Sequence, residues 1–83
     1  MDIDNLVKMA NRIGDFFEAM PDADEARNGI ADHLQRFWER RMRDDIVAHV
    51  DRGGEGLKPI VREAIARRRA QLAPPAADRV SAA

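Results

Sequence analysis

The chain of 83 residues lacks most of the side chains on which small enzymes and metal proteins depend. It contains no cysteine, no tyrosine and no threonine, and its one serine is Ser81. These absences exclude thiolate metal sites, iron–sulfur ligation by the chain itself, disulfides and almost every hydroxyl or thiol nucleophile. We therefore predict that the chain has no catalytic residue, binds no cofactor and holds no metal ion.

Long apolar runs are absent as well. No stretch approaches the roughly 20 apolar residues that a membrane-spanning helix needs. The acidic start, Met1 to Asp4, lacks the positive charge that precedes the apolar part of a secretory signal. Because a chain without cysteine is typical of a reducing compartment, we expect a cytoplasmic protein with no membrane partner.

The length also limits the core. A chain this short forms one domain at most, and folding hides only about 60–65% of the surface of the unfolded chain. Fourteen of the apolar residues are alanine, which further reduces the apolar volume available for packing. Little room is left for an enclosed active-site cleft.

Charge is nearly balanced but unevenly distributed. The net charge is −1, yet residues 1–38 carry eight acids and four bases, whereas residues 57–83 carry two acids and six bases. We favour mutual attraction of the two halves within one small fold. A polarised binding surface is the alternative.

Apolar spacing predicts an all-α fold, a small bundle of about four short helices. We expect a single domain over residues 1–72 and a flexible C-terminal tail over residues 73–83. The first helix is expected from about Asn5 to Met20, because Pro21 disfavours helical geometry in the residue before it. Asp22 or Asp24 is expected to cap the second helix, although the Asn28–Gly29 pair inside that helix is a turn signal.

The phase of the apolar residues predicts a break after the second helix. On one continuous helix, the apolar faces before Trp38 and after Arg41 would point to nearly opposite sides, so a break between them is required for a common core. The glycine cluster Gly53–Gly56 then predicts a turn. A last helix is expected from Lys58–Pro59 to Leu72, with proline near its first position.

The two histidines lie on apolar helix faces. A metal site would require a second ligand nearby on the same face, where the neighbours of the two histidines are Ile30, Phe37, Ile46 and Val50. A partly buried imidazole with satisfied hydrogen bonds is the favoured interpretation. The alternative is that a histidine marks the place where an apolar face leaves the core and meets a partner.

The segment from His33 to Arg43 is the best candidate for a partner-binding site. It places the single tryptophan beside a phenylalanine, a methionine and several arginines, the residue types that are enriched in protein interfaces. An almost equally weighted alternative is that Trp38 closes a small core. The predicted partner-binding residues are His33, Phe37, Trp38, Arg41, Met42 and Arg43, with Arg67, Arg68 and Arg69 adding contacts to acidic groups. For this site we expect Trp38→Ala to weaken partner binding and to leave the isolated domain helical.

Three segments in this order resemble one known family. They are LVKMANRI at residues 6–13, the pattern HLxxFWE followed by RMR at residues 33–43, and GGxGLxP followed by VxEA at residues 53–64. Together they cover about residues 5–65 and resemble the delta subunit of cytoplasmic, molybdenum-dependent, NAD-linked formate dehydrogenase. The family usually carries a proline where this chain has Arg40.

The resemblance implies a non-catalytic accessory subunit. Its partners would be the large catalytic subunit of formate dehydrogenase and the other subunits of that complex. Those subunits would carry molybdopterin guanine dinucleotide, iron–sulfur clusters, FMN and NAD, and this chain would stabilise the complex or assist its maturation and molybdenum cofactor insertion.

Two other functions are alternatives to this one. A small helical nucleic-acid-binding regulator would use the basic last helix, but the net charge and the scarcity of side chains for base readout there oppose it. A small carboxylate or histidine enzyme ranks last, since no acid–base pair at plausible spacing is present.

Overall fold

The computed structural model describes residues 2–74 as a bundle of helices. In chain order they are α1 (Ile3–Phe17), α2 (Ala23–Phe37), α3 (Arg40–Asp51), α4 (Pro59–Arg67) and α5 (Arg69–Leu72). Within this range there is no strand, so the predicted all-α fold is confirmed.

Most of the predicted C-terminal tail, residues 75–83, lies outside the described residues. Its first two residues are described: Ala73 packs against the core, and the Pro74 carbonyl accepts a hydrogen bond from Arg40 Nη2 at 2.8 Å. No helix between residues 2 and 74 is long and apolar enough to cross a membrane. The cytoplasmic location stays a prediction.

One hydrophobic core joins all five helices. Burying these side chains supplies most of the stability, at about 25 cal/mol for each Å² of apolar surface removed from water. The core residues are Leu6, Ala10, Ile30, Leu34, Trp38, Ile46, Val47, Leu57, Val61, Ala64, Ile65 and Leu72.

The turn between α1 and α2 begins earlier than expected. Helix α1 ends at Phe17, three residues before the predicted end at Met20, and the chain runs through a turn to Pro21. Of the two predicted caps of α2, Asp22 and Asp24, the N-cap is Asp22. Its Oδ1 accepts hydrogen bonds from the backbone N–H groups of Asp24 at 2.8 Å and Glu25 at 3.3 Å, which satisfies two donors that the first turn of a helix leaves free.

The break between α2 and α3 lies where the phase of the apolar residues requires it. Trp38 and Glu39 both have extended backbone geometry, and α3 begins at Arg40. The first position of a helix suits proline, so the usual residue of the resembling family would fit here. In this chain Arg40 instead links the start of α3 to Asp44 at 2.8 Å and to Pro74.

The glycine turn after α3 is fastened by two side chains from outside it. Gly54 has a φ of +66° and donates its N–H to the His49 carbonyl at 2.9 Å, a left-handed helix ending that glycine adopts without strain. Asn11 of α1 donates to the Gly56 carbonyl and accepts the Lys58 N–H, both at 2.9 Å. His49 Nε2 forms a 2.7 Å hydrogen bond with the Glu55 carbonyl, so the prediction of a satisfied imidazole is confirmed for His49.

The expectation of one last helix from Lys58 to Leu72 is wrong. The helix is interrupted at Arg68, whose φ and ψ of −109° and 17° separate α4 from α5. A continuous helix would place Arg68 on the apolar face. The interruption lets Leu72 become fully buried while the Arg68 guanidinium reaches Asp32 of α2 at 2.7 Å.

Candidate protein-binding surface

Four aromatic rings form a row across α1 and α2. The ring centroids of Phe16 and Phe17 are 5.1 Å apart and nearly perpendicular, and Phe17 lies 6.4 Å from His33. His33 in turn lies 4.8 Å from Phe37, one helical turn further along α2. We call Phe16, Phe17, His33 and Phe37 the aromatic row. Edge-to-face and tilted contacts of this kind are favourable between rings and hold the row in one arrangement.

The two ends of the aromatic row are open to solvent. Phe16 is 75% exposed and Phe37 is 71% exposed, which makes them the most exposed large apolar side chains among residues 2–74. Between them, Phe17 and His33 are half-buried. Single exposed apolar residues are common on protein surfaces, but a contiguous set of them marks an interaction site.

A groove runs beside the aromatic row. Arg12 and Ile13 of α1 line it together with three members of the row, Phe16, Phe17 and His33, and its volume is about 340 Å³. The groove is shallow and mostly apolar. A partner side chain that entered it would contact aromatic rings and the Arg12 side chain.

Gly29 makes room for the centre of the row. A Cβ atom at Gly29 would lie only 2.5 Å from two carbon atoms of the Phe17 ring. Helix α2 continues through the Asn28–Gly29 pair, so this pair does not form the turn that its sequence signals. The glycine is needed for the close packing of Phe17 against α2.

Gly29→Ala is expected to destabilise the chain, by about 1–3 kcal/mol, because overpacking forces Phe17 and the row to shift. Helix propensity alone predicts the opposite, a gain of about 1 kcal/mol. Urea unfolding of the full chain measures the difference. The control is Asn28→Ala, an exposed position of the same helix where only propensity changes; a Gly29→Ala variant more stable than wild type would contradict this packing.

Trp38 lies in the core and not on the aromatic row. It is 7% exposed and packs in the hydrophobic cluster of the bundle, although it is adjacent in sequence to the exposed Phe37. The extended backbone at the end of α2 turns the two neighbouring rings to different sides. The alternative that Trp38 closes a small core therefore agrees with the structure, whereas an exposed docking role for Trp38 does not.

The start of α3 contributes the remaining residues of the predicted segment. Arg41 is exposed, and Met42 is half-buried against the core. Arg43 is also half-buried, and its Nε has no hydrogen-bond partner among residues 2–74. A partner-binding role for these three residues stays a prediction.

The arginines at positions 67–69 each meet an acid of this chain. Arg67 contacts Asp24 at 3.1 Å and Arg68 contacts Asp32 at 2.7 Å, both on α2. Arg69 pairs with Asp51 at the end of α3; this hydrogen bond raises the pKa of Arg69 and lowers the pKa of the Asp51 carboxyl. Arg67 and Arg68 thus bind acids of residues 1–38, which confirms the favoured interpretation of the uneven charge, attraction between the two ends of the chain. A partner-binding role for Arg67, Arg68 and Arg69 stays a prediction.

The same pairing weakens the nucleic-acid alternative. A basic helix binds phosphates through cations that are free to approach the backbone. Here the three successive arginines point toward two different helices and already hold carboxylates.

No group of three or more acids or histidines between residues 2 and 74 is placed to hold a metal ion.

Comparison with known families decides the identity. Residues 5–65 match the family described as NADH-dependent formate dehydrogenase delta subunit, FdsD. This chain belongs to that family. The resemblance inferred from the three sequence segments is thereby confirmed over the same range of residues. No curated protein and no solved structure matches the chain significantly.

The family match covers the aromatic row but not the basic run. All four members of the row lie within residues 5–65 of this formate dehydrogenase delta-subunit domain, whereas Arg67, Arg68 and Arg69 follow the matched range. As a formate dehydrogenase subunit, the chain associates with other subunits of that enzyme. The aromatic row, which lies within the matched range, is therefore a stronger candidate for this association than the basic run.

Sequence reasoning found only half of this surface. His33 and Phe37 are among the predicted partner-binding residues, whereas Phe16 and Phe17 are not. The adjacency of Phe16 and Phe17 on one helix was the available signal. Adjacent helical residues diverge by about 100°, so Phe16 and Phe17 cannot both point fully into the core.

Proposed function

We propose that this chain is a non-catalytic accessory subunit that stabilises formate dehydrogenase by docking on its large catalytic subunit through the aromatic row. The observation that supports this most strongly is the exposure of Phe16 and Phe37 at the two ends of a packed set of rings. In a chain whose family is a formate dehydrogenase delta subunit, such a surface is suited to subunit contact.

Burial of the two exposed phenylalanines would be one favourable contribution to this contact. Fully burying a phenylalanine side chain contributes about 1.5–3 kcal/mol. Aromatic residues are also among those that dominate interface energies, especially where surrounding contacts exclude water. A subunit that binds only the folded complex stabilises it by mass action, and this is the proposed mechanism.

In this proposal the redox centres belong to the other subunits. The complex would carry molybdopterin guanine dinucleotide, iron–sulfur clusters, FMN and NAD, with none bound by this chain. The absence of cysteine from the whole sequence supports this division, because iron–sulfur clusters are held by cysteine thiolates. Assistance with molybdenum cofactor insertion is the second role that docking on the catalytic subunit would permit.

The test is expression of the formate dehydrogenase complex with and without this chain. We expect the complex that lacks it to lose activity faster on warming, because the docked aromatic surface is missing. If the role is stabilisation, adding the purified full chain to the complex that lacks it should restore the slower inactivation of the complete complex. If only co-expression restores activity, together with molybdenum content, the role is maturation. Equal activity, molybdenum content and inactivation rates in both preparations would contradict the proposal.

A further inference from the structure

Charges beside the aromatic row differ in whether this chain already uses them. Asp15 of α1 and Glu18, the residue that follows α1, both bind Lys58, at 2.6 and 3.0 Å, and raise its pKa. Asp32, which precedes His33, binds Arg68. The acids next to the row are thus neutralised by bases from the C-terminal half of the chain.

Two arginines beside the row are not used in this way. Arg12 lines the groove one turn before Phe16, and Arg36 lies one turn after His33 and next to Phe37. Both are exposed, and neither forms an ion pair with any residue between positions 2 and 74. Glu25 lies on the same face of α2 as His33, two turns earlier. It belongs to the first turn of the helix, where a carboxylate complements the helix dipole.

We infer that the segment bound by the aromatic row is an apolar stripe of another formate dehydrogenase subunit flanked by acidic side chains, which pair with Arg12 and Arg36. This inference rests on the proposed function. Arginine is favoured at interfaces because its guanidinium binds carboxylates in a planar, bidentate geometry and also stacks on rings. Asp15, Glu18 and Asp32, which would otherwise repel such a segment, are already paired within this chain.

Charge complementarity of this kind acts mainly on the rate of association and on the choice of partner. It also makes binding depend on salt, since the screening length falls to about 8 Å at physiological ionic strength. Contacts between apolar rings are not weakened by salt in this way. Salt dependence therefore separates the contribution of the arginines from that of the aromatic row.

The test uses the full chain and the formate dehydrogenase complex purified without it. Arg12→Glu combined with Arg36→Glu is expected to weaken binding at low salt by about tenfold or more, through slower association, and to reduce the salt dependence of the dissociation constant. The control is Arg52→Glu combined with Arg62→Glu, two exposed arginines away from the row that give the same change of net charge. This control measures the part of the effect that comes from net charge alone, and it is expected to bind more tightly than the Arg12/Arg36 variant.

Each outcome decides a different point. If both charge-reversed variants weaken binding equally, the effect is one of net charge and the inference is wrong. If the Arg12/Arg36 variant binds like wild type while loss of Phe16 and Phe37 abolishes binding, the acidic flank is wrong and the docking role of the row stands. If loss of the two phenylalanines also leaves binding unchanged, the proposed function itself fails.

Discussion

Replacing Phe16 and Phe37 by alanine is expected to weaken binding to the other formate dehydrogenase subunits by about 30-fold or more. This factor corresponds to the loss of about 2 kcal/mol, the usual threshold for a residue that dominates an interface. The isolated chain should keep its stability, because both rings are more than two-thirds exposed and contribute little to its core. Alanine also favours the helical state at both positions.

Co-purification with the complex, followed by a measured dissociation constant, checks this expectation. Circular dichroism and urea unfolding of the isolated variant show whether its fold is intact. Gln71→Ala is a control at an exposed position of α5, outside the range of the family match. Wild-type binding by the double variant, with wild-type folding, would show that the aromatic row is not the docking surface.

Trp38→Ala is expected to destabilise the isolated chain by about 3–5 kcal/mol, since it removes a large side chain from the core and leaves a cavity. Domains have about 0.05–0.15 kcal/mol of stability per residue, so a chain of this length has only about 4–12 kcal/mol in total. The loss is therefore a large fraction of the total stability, and the variant should unfold at a much lower urea concentration or temperature than wild type. This differs from the expectation for a partner-binding Trp38, whose replacement would leave the domain helical, and follows the alternative in which Trp38 closes the core.

The neighbouring position offers a matched comparison. Phe37→Ala removes an aromatic side chain from the adjacent residue, but that ring is exposed, so little stability should be lost. Thermal or urea unfolding of the two single variants gives the difference directly. A Trp38→Ala chain that unfolds like wild type, yet no longer binds the complex, would restore Trp38 to the docking surface and contradict its place in the core.

The helices and their break were predictable because they follow from local rules. Pro21, the glycines at 53–56 and Pro59 act on the backbone near themselves, and Asp22 caps the helix that follows it. The break before Arg40 could be located from phase alone, because two apolar faces on opposite sides of one rod cannot share a core. These constraints act within a few residues, so they can be inferred from the sequence.

The binding surface was less predictable because it depends on distant contacts. The exposure of Phe16 is decided by which side of α1 packs against the rest of the bundle, and the burial of Trp38 by the direction in which the chain leaves α2. The sequence predicts that the arginines at positions 67–69 are free to bind a partner, but in the fold they pair with Asp24, Asp32 and Asp51. Pairs separated by 18 to 43 positions in the sequence leave no local pattern to detect.

Site-specific photocross-linking tests the docking surface most directly. A photoreactive phenylalanine analogue at position 16 or 37 retains an aromatic ring at the proposed contact, and the same analogue at exposed Arg62 probes the surface of α4. In the assembled complex, we expect cross-links to the large catalytic subunit of formate dehydrogenase from positions 16 and 37 and none from position 62. Cross-links from position 62 alone would contradict the assignment of the aromatic row as the surface by which this chain joins the enzyme.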